Sequence, residues 1–140
     1  MNSKRNSAWR WLAAVVIVHL AVSVIHGQAH AGAQVPLSPP ATMFVYIVIL
    51  AGPLVGLALT WPAAQIGAWI IAMTMMGSFV FGLINHFVLD SPDHVAHVDP
   101  QWRLLFTLTA VLLAVTEAVG LGLAIQVARG RRAALFAGRS

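Results

Sequence analysis

Six residues of metal-ligating type, His86, Asp90, Asp93, His94, His97 and Asp99, fall within one short stretch, Phe81 to Arg103. That stretch holds all three aspartates and half of the six histidines of an otherwise charge-poor chain. His94 and His97 stand at i, i+3, so on a helical turn both imidazoles would point the same way, with Asp90 or Asp93 supplying an oxygen ligand or orienting a ring. Neutral imidazole with carboxylate suits a divalent ion: zinc, iron, manganese or copper. The chain has no cysteine, which removes thiolate sites, disulfides and covalent haem attachment and makes copper(I) a poor fit. A competing reading is purely structural. Ser91-Pro92-Asp93 has the form of a helix start, with Ser91 as cap, Pro92 in the first position and Asp93 favoured by the helix dipole. Asp99-Pro100 repeats the pattern, and Asp99 reads as a cap.

A second histidine set lies near the start of the chain. At about 100 degrees per residue, His19, His26 and His30 fall within roughly 40 degrees of one another, with Ser23 beside them. This stripe climbs towards the same face of the membrane as the Asp90 to Gln101 loop, and His86 sits one turn below that loop. Five of the six histidines and three of the four acids therefore converge on one face. The candidate ligand set is His26, His30, His86, Asp90, Asp93, His94 and His97.

Three polar residues lie deeper. Glu117 falls within an apolar run, where an ionised carboxylate is expensive and a functional role is the default expectation. Its helix face also carries Ala110, Gly120, Ala124 and Ala128, so it should face neighbouring helices, with His19 or the Thr74, Ser78, Asn85 face as partners. A protonated carboxyl fixing helix register is the competing role. His19 and Asn85 read more readily as interhelical hydrogen-bonding groups than as ligands. Met73, Met75 and Met76 point in several directions and read as packing, and Trp9, Trp11, Trp61 and Trp102 read as interfacial anchors.

The elements that must position these groups are membrane spans. With 140 residues, 59% hydrophobic and 9% charged, and a mean hydropathy of +0.83, the chain is too apolar for a soluble domain of its size. The expectation is an all-α integral membrane four-helix bundle forming a single domain. Its spans should run over about 9–31, 41–60, 63–89 and 102–129, with polar loops at 32–40 and 90–101. Gly52 and Gly56 allow close helix approach, and Pro53 predicts a kink. Seven of the eight basic residues lie at the two ends of the chain, which places both termini in the cytoplasm, both polar loops outside and the protein in a bacterial inner membrane. The same distribution argues against nucleic-acid binding, because the bases do not interleave with aromatics. The first span has a second reading as a signal peptide cleaved near Ala31, on the small-x-small pattern Ala29-His30-Ala31.

Three functions compete on this pattern. The first is a small membrane protein with an outward-facing His/Asp site for a divalent transition metal, in transport, delivery or metal-dependent redox chemistry. The second is a non-catalytic accessory or assembly subunit, working with a membrane protein partner or a second copy of itself. The third is a b-type haem protein with two axial histidines, contributed by His26 or His30 and by His86.

Overall fold

The structure, a computed structural model, describes the backbone of residues 2–137 and the side chains of residues 7–130. Lys4, Arg5, Arg131, Arg132 and Arg139, on which much of the expected orientation rests, have side chains outside the described residues. The described chain is all helix and turn, with no strand. Four helices are long and apolar enough to cross a membrane. They are α1 (Asn2–Gly32), α2 (Pro39–Leu59), α3 (Ala64–Phe87) and α4 (Pro100–Ala137). This is a multi-pass membrane protein in contact with the lipid bilayer.

The helices form a ring that is nearly open on one side. α1 packs along α4, α4 along α3 and α3 along α2, whereas α1 and α2 barely touch. α1 and α3 therefore stand diagonally opposite, joined through α4. Large apolar side chains such as Ile17, Leu54, Ile66, Met73 and Leu104 point outwards and are exposed, as expected where the surrounding solvent is hydrocarbon. Association then rests on close packing and buried polar contacts instead of on expulsion of water.

Small residues supply that packing. A Cβ on Gly67 of α3 would run into the Gly56 carbonyl and the Thr60 backbone of α2, and one on Gly56 would meet Ile71. Gly120 seats the Met75 side chain, and Leu12, Val16, Ile71, Ala72, Met75 and Ala124 close the bundle interior towards the chain termini. Trp9 Nε1 donates to Thr60 Oγ1 at 3.0 Å and ties the start of α1 to the end of α2.

α2 is irregular where the sequence predicts a kink. Val45–Ala51 forms a π-helical turn ahead of Gly52 and Pro53. Pro53 lacks the N–H that would meet the Ile49 carbonyl in a regular helix. That carbonyl lies 3.3 Å from His19 Nε2 on α1, which fits an Nε2–H donating across the weakly packed side of the ring. His19 thus serves as an interhelical link.

The ends nearest the histidines are also specified locally. α1 closes in a Schellman arrangement: Val35 N donates to the His30 carbonyl at 3.0 Å, Gln34 N to the Ala31 carbonyl at 3.3 Å, and Gln34 has φ 54°. Gly32 lies flat against the Trp102 ring, leaving no room for a Cβ. Residues 90–99 form turns where the sequence suggests a helix beginning at Ser91. Asp99 does cap α4, its Oδ1 accepting from Gln101 N at 2.8 Å.

Candidate metal centre

His26 and His30 stand one turn apart on the buried face of α1, and His86 closes the last turn of α3 diagonally across the bundle. One nitrogen from each ring lies within 4.8 Å of the others. Phe106 of α4 forms the wall behind them, its ring 4.8 Å from His26, 4.7 Å from His30 and 5.2 Å from His86. The loop after α3 folds back over the group, with Val95 N donating to the His86 carbonyl at 3.0 Å. This fold-back buries Asp93 against the rings.

Two of the three rings are held by one of their nitrogens. Thr109 Oγ1 spends its proton on the carbonyl of Leu105 at 2.7 Å or of Phe106 at 3.0 Å. Its oxygen therefore accepts from His26 Nδ1–H, 2.8 Å away. His86 Nδ1–H donates to Asp93, whose backbone oxygen is at 3.2 Å and whose Oδ1 is at 3.1 Å. His30 Nε2 lies 3.4 Å from the same Oδ1. This is the arrangement by which outer partners fix the tautomer of ligating histidines.

The nitrogens left over have no donor to meet. His26 Nε2 and His86 Nε2 are 3.2 Å apart, and the tautomers set by Thr109 and Asp93 leave a lone pair on each. Two lone pairs at that distance repel unless a proton or a cation lies between them. His30 Nδ1 is likewise buried without a hydrogen-bond partner. Adjacent ligands of a tetrahedral ion, each about 2.0–2.1 Å from the metal, stand roughly 3.3 Å apart, so the observed separation fits a shared ion.

Asp93 supplies the compensating charge. Burial alone would raise its carboxyl, but the hydrogen bond from His86 and the nearby charges of His86, His30 and His26 outweigh this and hold it below the ordinary carboxylate range. A carboxylate buried among these rings needs a positive partner, which a protonated imidazole or a bound cation supplies.

The remaining sequence-predicted residues lie elsewhere. His97 Nε2 pairs with Asp90 Oδ1 at 3.3 Å, with side chains 50% and 91% exposed. A pair so exposed contributes little. His97 Nδ1 donates to the Ser91 carbonyl at 2.9 Å, and His94 Nδ1 accepts from Ala96 N at 3.2 Å. Asp90, His94 and His97 are thus used in the local turns and do not join the buried rings. Asn85 Nδ2 donates to the Phe81 carbonyl of its own helix at 2.8 Å. Glu117 is buried, with Oε1 4.0 Å from His19 Nδ1.

Thr109 and Phe106 belong to the site and carry no ligand signature in the sequence. The small-residue face of Glu117, extended three turns towards the start of α4, reaches Phe106, and that periodicity was the available clue. No family model, curated protein or solved structure matches the chain.

Proposed function

We propose that this protein holds a divalent transition metal within the membrane, ligated by His26, His30 and His86, with Asp93 as orienting carboxylate or fourth ligand. The observation that carries this reading is the pair of opposed Nε2 atoms 3.2 Å apart, each fixed from behind and accompanied by a third imidazole with an unpartnered nitrogen. A shared proton would satisfy the pair alone. The third ring and the carboxylate match the donor set of a metal. Three imidazoles without thiolate suit zinc, copper(II) or iron, and leave a coordination position for water or substrate.

Geometry counts against haem on the His26–His86 pair. A metal held between two opposed imidazoles separates their nitrogens by about 4 Å, twice a metal–nitrogen bond of about 2 Å, and a macrocycle would have to pass between rings whose centroids are 4.9 Å apart. The basic residues at both ends of the sequence support an orientation with the termini in the cytoplasm and the metal site near the outer surface. The reading requires the first span to stay on the chain, since it supplies His26 and His30.

Elemental analysis of tag-free protein in mild detergent tests the proposal. About one metal ion per chain is expected in the wild type and in a His94→Ala, His97→Ala double variant, with near-complete loss in His26→Ala and His86→Ala, as for removal of one ligand in three. A helical wild-type protein without metal after growth in supplemented medium would sink the reading. Iron accompanied by a Soret band would replace it with haem.

A further inference from the structure

The histidines occupy only one end of a larger cavity. It encloses about 410 Å³ and extends from His26, His30, His86 and Asp93 to Ser78 and Glu117, deeper along α3 and α4. Ser78 Oγ is buried and makes no hydrogen bond. The Glu117 carboxyl lies 4.0 Å from its nearest imidazole nitrogen, too far for a hydrogen bond. Two polar groups at membrane depth therefore keep unspent hydrogen-bonding capacity beside one space. Between the two ends the wall is mostly apolar, formed by residues such as Ile49, Leu50 and Leu113.

The cavity lies where the ring of helices is weakest. Its walls include Val24 and Gly27 of α1 and Tyr46 of α2, all exposed and all within membrane-spanning segments. α1 and α2 barely touch, so access on this side is from hydrocarbon. The opposite end is closed by Leu12, Val16, Ile71 and Met75. A largely apolar space with a few convergent polar groups is the composition of a small-molecule site. It is poorly suited to an ion, which would lose its hydration against apolar walls.

We propose that the cavity binds a bilayer-dissolved molecule with an apolar body and a hydroxyl or carbonyl head, which enters between α1 and α2 and hydrogen-bonds to Glu117 and Ser78. The binding stands with or without metal at the histidines.

The test is photolabelling of the full chain in phosphatidylcholine nanodiscs with a diazirine-bearing hexadecanol or the matching methyl ketone, each competed by its unlabelled parent. Saturable labelling is expected on the stretches around Gly27 and Tyr46. Glu117→Leu should weaken it about tenfold, as loss of one buried hydrogen bond does. Gly27→Phe should weaken it comparably by filling the mouth, since a Cβ there meets nothing within 4 Å and the fold has room for it. Labelling that does not saturate, or that saturates unchanged in both variants, overturns the proposal. Metal content is measured on the same samples. Metal retained in Glu117→Leu with labelling reduced supports two separate sites, and metal lost from that variant would make Glu117 part of a cation site and overturn the proposal. A metal-free wild type that still labels saturably would fail the metal reading alone.

Discussion

At the scale of single residues, the central fact is that His26 and His86 each have one nitrogen fixed by a hydrogen bond and one spare, with His30 beside them carrying an unpartnered Nδ1. Asp93 lies against two rings at once, with Oδ1 at 3.1 Å from His86 Nδ1 and 3.4 Å from His30 Nε2. Asp93→Asn should therefore weaken metal affinity by roughly 10–100-fold, the usual effect of losing an outer carboxylate, without abolishing binding. Competition with a chromophoric chelator measures it, and unchanged affinity would remove Asp93 from the site. Histidine type and helical spacing made His26, His30 and His86 legible as candidates. The part played by Asp93 was less so, because Ser91-Pro92-Asp93 fits a helix start equally well, and only the fold-back of Val95 onto His86 turns the carboxylate inwards. His94 and His97, a weak motif on their own, sit among turns, since spacing of i, i+3 converges two side chains only where the backbone is helical. Thr109 was silent because a threonine that back-bonds to its own helix resembles every other threonine in a span.

At the scale of elements, α2 and α3 are held together by glycine. Gly67→Ala should drive the helices apart, since its methyl would overlap the Gly56 carbonyl and the Thr60 backbone. The expected loss is about 1–3 kcal/mol, typical of overpacking, and shows as a lowered melting temperature in detergent. An unchanged melting temperature would mean the two helices separate freely. The apolar runs were readable from the sequence because a bilayer demands about 20 residues per span. Gly52 and Gly56 signalled a close approach, but Gly67 did not, since which glycines face each other depends on helix rotation. Pro53 announced a kink. It did not announce that the freed Ile49 carbonyl would be taken up by a histidine from another helix, because that pairing depends on the order of helices around the ring.

At the scale of the whole molecule, that order is what composition and periodicity leave open, since every span is apolar on most of its circumference. The structure sets α1 and α3 on a diagonal, so a metal at the histidines would brace the bundle across its middle. Free metal at 100 times its dissociation constant should stabilise the fold by about 2.7 kcal/mol, read as a melting temperature that rises with added ion and falls with chelator. A melting temperature indifferent to both would place the ion outside the folded bundle. The diagonal also sets a timetable. Translation delivers His26 and His30 first and His86 well before the last span, yet α1 and α3 share no backbone contact of their own, and the wall and clamp that join their rings, Phe106 and Thr109, are made last. A nascent chain halted before Pro100 would already contain every histidine of the proposed site and still lack the wall and clamp from α4, so an ion held there would be loaded only after the last span is made.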